Sequence, residues 1–170
     1  MKHMEDGMKY IDKTNLKPIN ANGEIINKTA IDWMKDFDIS RERFGCSDQV
    51  YQYALDMTQK EIYQAVEGLY HNLNTLQSRS GNQLPFTSIN YGTCTLPEGR
   101  MVIKALLEVS IEGLGKNKKT SIFPCGIFQV MSGVNKVPDT PNYDLFRLAL
   151  KSTAQRLYPN YANVDWSTFA

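Results

Sequence analysis

Three stretches of the chain carry hydrophobic side chains every three or four residues, the spacing of one face of an α-helix. Their hydrophobic positions are Ile62, Ala65, Val66, Leu69, Leu73 and Leu76 in the first, Met101, Val102, Ala105, Leu106 and Val109 in the second, and Leu145, Leu148, Ala149 and Leu157 in the third. The sequence therefore predicts three amphipathic helices, each packing one face against another element.

Capping residues indicate where these helices begin. Thr58 with Glu61, and Thr95 with Glu98, have the spacing of a capping box, in which each side chain bonds a free backbone N–H of the first turn. Asn142 is suited to cap the third helix. We therefore expect helices to start at these three points, and a loop over residues 162–170.

Two short stretches between the helices have the composition of strands. Residues 85–92 place Phe86, Ile89 and Tyr91 between a proline and a glycine. Residues 120–131 are strand-like but contain Pro124, which lacks a backbone donor, so we expect a strand interrupted by a bend.

Strands that alternate with helices predict an α/β fold, in which each helix covers the strands that it joins. Two strands do not make a stable sheet, so further strands are expected from residues 1–45 or from chain outside this sequence. Residues 1–45 are poorly defined, with a turn over residues 18–23 and a possible short helix. Residues 46–170 form the predicted α/β domain.

Composition narrows the functional classes. The 170 residues carry a net charge of +1, which gives no electrostatic reason to expect a nucleic acid as partner. No stretch has the roughly 18 consecutive apolar residues of a membrane span, and the charged start is unlike a signal peptide, so a cytoplasmic protein is expected. Three scattered cysteines and two histidines predict neither a disulfide nor a metal site.

The segment before the first predicted strand has polar chemistry. Ser78, Arg79, Gly81 and Gln83 combine a hydroxyl, a cation, an amide and a flexible backbone, which suits a phosphate or a sugar hydroxyl. The same residues also suit a solvated turn that ends the first helix.

Residues on the two strands could contact a ligand as well. Ser88 and Asn90 lie two positions apart and therefore share one strand face, which is either a solvent face or a substrate surface. Cys125 lies between Pro124 and Gly126, where an exposed thiol could do nucleophilic or radical chemistry; a buried structural cysteine is the alternative.

Two groups of cations allow a further interpretation. Arg147, Lys151 and Arg156 belong to the third helix, and Lys116, Lys118 and Lys119 follow the second. They could attract a triphosphate, or they are solvated surface charge.

Residues 71–93, which run from His71 through the Ser-Arg-Ser-Gly-Asn-Gln-Leu-Pro-Phe-Thr-Ser-Ile-Asn-Tyr-Gly stretch to Thr93, closely resemble a signature of anaerobic (class III) ribonucleoside-triphosphate reductases. The resemblance covers roughly residues 48–166. It includes Pro-Glu-Gly-Arg-Met at residues 97–101, Pro-Asn-Tyr-Asp-Leu at residues 141–145 and Arg-Leu-Tyr-Pro at residues 156–159.

This resemblance implies a segment of a ten-stranded α/β barrel that surrounds a finger loop. The implied reaction removes the 2′-hydroxyl of ribonucleoside triphosphates, using a glycyl radical generated by a radical-SAM activating enzyme. Formate as reductant, ATP or deoxynucleotide effectors, and a homodimer are implied with it. Residues 85–92 would form a barrel strand, with Ser88 and Asn90 lining the cavity.

Several family motifs do not occur in these 170 residues. The Arg-Val-x-Gly-Tyr glycyl-radical motif and the CxxC pairs that bind zinc are absent, and the Met-Gly-Cys-Arg finger-loop motif would be expected soon after Trp166. Cys125 is therefore only a substitute candidate for the catalytic cysteine. The chain is either an internal piece of a reductase, inactive alone, or a non-catalytic remnant that binds nucleotide or a partner subunit.

Overall fold

The computed structural model describes Lys2, His3, Asp6 and residues 48–75 and 84–169, with side chains to residue 166. The chain divides into two compact units, residues 1–62 and 63–170. Most of the first unit, including the turn and short helix predicted before residue 46, lies outside the described residues.

Helix α1 (Asp48–Thr75) begins ten residues before the predicted start. The predicted capping box is wrong, because Thr58 lies inside the helix and its hydroxyl donates to the Ala54 carbonyl one turn earlier, at 2.7 Å. Within the second unit, α1 buries Val66 and Tyr70, whereas Leu69 is 39% exposed. The buried stripe is therefore narrower than predicted.

Among the described residues, three parallel strands form a sheet: β1 (Ser88–Tyr91), β2 (Cys125–Val130) and β3 (Asn160–Asn163), in that spatial order. Helix α2 (Pro97–Glu112) connects β1 to β2, and helix α3 (Tyr143–Arg156) connects β2 to β3. Parallel neighbours require such crossovers. The predicted α/β fold with alternating strands and helices is confirmed.

The ends of the helices differ from the predicted caps. Leu96 is the N-cap of α2 and makes no side-chain capping bond, so the capping box at Thr95 and Glu98 is wrong. Asn142 is the N-cap of α3, as predicted, but its side chain bonds elsewhere. Leu157, predicted to face inward, ends α3 in the left-handed conformation and is 82% exposed.

Two strand predictions also need correction. β2 is continuous, because Pro124 lies just before it and Gly126 is accommodated within it. Residues 160–163 form β3 and a 3₁₀ helix follows (Val164–Phe169), where a loop was predicted. The polar sequence Asn-Tyr-Ala-Asn gave no strand signal, since its backbone pairing with β2 is a tertiary interaction.

The core lies between the helices and one face of the sheet. Helices α2 and α3 pack against each other. Buried hydrophobic residues of this unit are Val66, Tyr70, Tyr91, Met101, Ile103, Ala105, Leu106, Leu107, Val109, Phe128, Leu145 and Ala149. The candidate site lies on the opposite face of the sheet.

Candidate functional site

One face of the sheet is polar and uncharged. In a parallel ladder, paired residues project to the same side, and alternate residues of a strand project to opposite sides. The register pairs Ser88 with Cys125, Asn90 with Ile127, Ile127 with Asn160, and Gln129 with Ala162. We call these seven residues the polar face: Ser88, Asn90, Cys125, Ile127, Gln129, Asn160 and Ala162.

The polar face is partly accessible on all three strands. Ser88, Asn90 and Asn160 are exposed, and the other four residues are half-buried. The predicted alternation of β1 is confirmed, because Ile89 and Tyr91 are more buried than Ser88 and Asn90. The strands thus bring together polar residues that are far apart in the sequence.

The opposite face is a packed aromatic layer that holds the helices. Phe128, fully buried in β2, has ring centroids 5.9 Å from Tyr91, 6.0 Å from Phe146 and 6.1 Å from Tyr161. A Cβ at Gly126 would lie 2.8 Å from the Tyr91 hydroxyl, so a glycine is needed there. The aromatic packing therefore holds the three strands in place from the side opposite the polar face.

Two fully buried asparagines fix the carboxyl ends of β1 and β2. The amides of Asn135 and Asn142 each donate to the Gly92 carbonyl at 3.0 Å. Asn135 also donates to the Gln129 carbonyl, and Asn142 to the Cys94 carbonyl, both at 2.8 Å. Both side-chain amides are buried and have hydrogen-bond partners for their donors and acceptors. They hold the carboxyl edge of the sheet, which is where α/β folds bind their ligands.

Arg100 extends this network to the starts of both helices. It is 9% exposed and donates to Asn142 Oδ1 at 2.7 Å and to the Pro141 carbonyl. Its ion pair with Asp144 has an N–O distance of 3.0 Å. This network could not be predicted from the sequence, because its members are distant along the chain and show no local pattern.

The amino edge of the sheet is joined to α1 through Asn74. Asn74 Oδ1 accepts from the backbone N–H groups of Ile122 and Phe123 at 2.8 and 3.1 Å, and its amide donates to the Phe123 carbonyl at 2.5 Å. These residues precede β2.

The predicted ligand residues Ser78, Arg79, Gly81 and Gln83 lie outside the described residues.

Cys125 is the first residue of β2 and lies on the polar face opposite Ser88. Its thiol is half-buried and lies 3.9 Å from the Ile122 carbonyl oxygen. A sulfur contact of this length is weak.

Two of the cations grouped in the sequence, Arg156 and Lys118, have structural roles. Arg156 donates to the carbonyls of Ile111, Glu112 and Lys118 at 2.9, 2.9 and 2.8 Å and so caps the carboxyl end of α2. Lys118 is paired with Glu112 at 3.3 Å. Both cations line a cleft of about 500 Å³ on the helical side of the unit, away from the polar face.

A carboxylate lies at the start of the 3₁₀ helix. Asp165 accepts from the backbone N–H and the hydroxyl of Ser132, both at 2.8 Å, and from Lys136 at 3.0 Å. The hydrogen bonds from Ser132, then that from Lys136, lower the pKa of Asp165 to about 2. This cluster ties the segment after β3 to the loop after β2.

Among residues 48–75 and 84–169, no group of three or more His, Cys, Asp or Glu side chains is placed to hold a metal ion. None of the helices described is long and apolar enough to cross a membrane.

Parallel strands joined by helices define an α/β fold. The family model of anaerobic ribonucleoside-triphosphate reductase matches residues 8–168, nearly the whole chain. The chain therefore belongs to the anaerobic ribonucleoside-triphosphate reductase family.

Curated relatives agree with this assignment. The chain is 40% identical over 113 residues to the anaerobic ribonucleoside-triphosphate reductases of Salmonella typhimurium and Escherichia coli, which is 66% of this chain and 16% of each relative. It is 43% identical over 119 residues to that of Enterobacteria phage T4, covering 70% of this chain and 19% of the relative. The chain spans less than a fifth of the length of these relatives.

Proposed function

We propose that this chain supplies part of the catalytic barrel of an anaerobic reductase that converts ribonucleoside triphosphates to deoxyribonucleoside triphosphates in the cytoplasm. The observation that carries the proposal is the polar face on a parallel α/β sheet, within a segment that is 40% identical to named reductases. The three strands would be consecutive strands of a ten-stranded barrel, with the polar face turned inward.

In this proposal, Ser88 and Asn90 contact the substrate. A hydroxyl and an amide can both donate to and accept from ribose hydroxyls. They stand on a strand that the aromatic layer and Asn142 hold in place, so they are preorganised for binding. The preceding residues Ser78, Arg79, Gly81 and Gln83 are proposed to contact the same nucleotide, Arg79 as the charged partner of phosphate.

The radical machinery would come from elsewhere in the protein. We propose that a glycyl radical, formate as reductant, ATP or deoxynucleotide effectors and a zinc site belong to other segments, with a radical-SAM enzyme as activator and a second subunit as partner. No catalytic role is proposed for Cys125, since the contact of its thiol is to a backbone carbonyl at 3.9 Å, which does not activate a thiol.

The test uses the native protein that contains this sequence. It would be captured anaerobically with an antibody against this segment, and its intact mass compared with 19.4 kDa. After activation and addition of formate, deoxynucleotide formation would be followed by chromatography. We expect a mass several times larger than 19.4 kDa and formation of deoxynucleotide.

A matched pair of variants then tests the site. Replacing Ser88 and Asn90 together by alanine should lower kcat/KM by roughly a hundredfold, about tenfold for each hydrogen bond lost. Asn117→Ala, on an exposed turn, serves as the control and should leave turnover unchanged. A confirmed glycyl radical without deoxynucleotide product would refute the proposal, and nucleotide binding without turnover would favour the non-catalytic remnant.

A further inference from the structure

We propose that Gln129 is a further substrate-positioning residue, and that it binds the uncharged nucleoside part of the nucleotide rather than its triphosphate. This inference rests on the proposed function. It adds a residue of β2 to the candidate site. It also implies that the nucleoside and the triphosphate of the substrate are bound by different parts of the protein.

The placement of Gln129 is the first argument. The register puts it on the same side of the sheet as Asn90, one residue before the end of β2. It is therefore the polar-face residue nearest the carboxyl edge on the central strand. Ligands of α/β folds lie at this edge.

The backbone of Gln129 is fixed from two directions. Its carbonyl accepts from Asn135, which is fully buried. Gly92, at a φ of +126°, lies so close that a Cβ there would be 2.8 Å from the Gln129 carbonyl oxygen. A glycine is required for β1 to end against this residue.

The side chain of Gln129 is oriented as well. Thr93 donates to Gln129 Oε1 across 3.4 Å, a long hydrogen bond that engages the acceptor end of the amide. Gln129 Nε2 makes no hydrogen bond to any residue that the structure describes. The two N–H donors of this half-buried amide are thus available to a ligand on the polar face.

The charge of the face identifies the part of the ligand that it fits. All seven polar-face residues are neutral, and Ile127 and Ala162 add apolar contact between the polar groups. Arg156 and Lys118 are held on the helical side by α2. A triphosphate would have no cation to bind among these seven residues, whereas a ribose or base would find donors and apolar surface.

The activated holoenzyme carrying Gln129→Leu tests the inference directly. We expect the KM for CTP to rise about tenfold, the loss of one hydrogen bond, while the thermal melting temperature stays unchanged. Gln155→Leu makes the same chemical change on the exposed side of α3 and should leave KM unchanged. Thr93→Val should raise KM about threefold, and adding it to Gln129→Leu should have no further effect.

Competing ligands separate the two parts of the nucleotide. In Gln129→Leu, cytidine should inhibit CTP reduction about tenfold more weakly, and inorganic tripolyphosphate should inhibit as in the wild type. Unchanged KM in Gln129→Leu, or equal weakening of both inhibitors, would overturn the inference. If the wild-type holoenzyme reduces no nucleotide, the proposed function itself fails, which is a distinguishable outcome.

Discussion

The two faces of the same three strands differ in nearly every physical respect. The aromatic face buries Phe128 completely. It contacts α3 where Phe128 and Tyr161 of the sheet pack against Phe146 of the helix. The polar face carries exposed Ser88, Asn90 and Asn160 and no charge. Polar side chains can remain in contact with water at little cost. The buried strand residues Tyr91 and Phe128 belong to the other face.

This contrast separates stability from function within one sheet. Residues of the aromatic face stabilise the fold by burying apolar surface, which contributes about 25 cal/mol per Å² to the free energy of folding. The exposed residues of the polar face, Ser88, Asn90 and Asn160, bury little surface on folding, so their polar groups can serve a ligand. Substitutions on the two faces should therefore affect different measurements.

The largest effect is expected from Phe128→Ala. Removing a fully buried ring leaves a cavity at the centre of the aromatic layer and should lower the free energy of unfolding by about 3–5 kcal/mol. Urea denaturation followed by circular dichroism measures it. Phe86→Ala removes the same atoms from a side chain that is 80% exposed and should cost far less; equal losses would contradict the contrast between the layers.

Asn142→Ala should have the next largest effect. The substitution removes the donor to the Cys94 carbonyl and the partner of Arg100, so buried polar groups lose hydrogen bonds. The expected loss is about 2–3 kcal/mol in the same unfolding measurement. Asn117→Ala, on the exposed turn after α2, should change it little, and a similar loss there would argue against the network.

Acid should weaken the attachment of the 3₁₀ helix. The folded-state pKa of Asp165 is about 2, below its ordinary value, so its ionised form stabilises the fold above about pH 4, and this contribution is lost as the pH falls toward 2. Asp165→Asn should flatten that part of the stability profile. Asp139→Asn, an exposed carboxylate on a turn, is the control and should leave the profile unaltered.

The smallest effect on stability is expected from Asn90→Ala. Because this side chain is exposed on the polar face, the free energy of unfolding should change by no more than about 0.5 kcal/mol. Its effect should instead appear in kcat/KM of the holoenzyme. A stability loss as large as that of Phe128→Ala would mean that the polar face is structural.

Local patterns in the sequence predicted that the three helices exist and that β1 alternates, but not where the helices begin. The stripe at Leu106 and Val109 and the alternation at Ser88 and Asn90 depend on nearest neighbours, so periodicity predicts them. The strand at residues 160–163 could not be predicted, since its polar sequence forms a strand only because β2 offers an edge.

The candidate site was only half predictable for the same reason. Ser88 and Asn90 are two residues apart, whereas Gln129 joins them only through the register of β2. Asn142 was predicted as a cap from its residue type, but its amide serves Gly92 and Cys94 instead. Such roles depend on contacts between distant segments, which single-residue preferences do not encode.

The sheet has the same order in space as in the sequence, with β1, β2 and β3 as successive neighbours. β2 and β3 therefore each pair with the strand synthesised just before them, across one intervening helix. During translation, which proceeds from the amino terminus, each of these two strands would find its partner edge already made. The pairing of these three strands can thus follow the order of their synthesis.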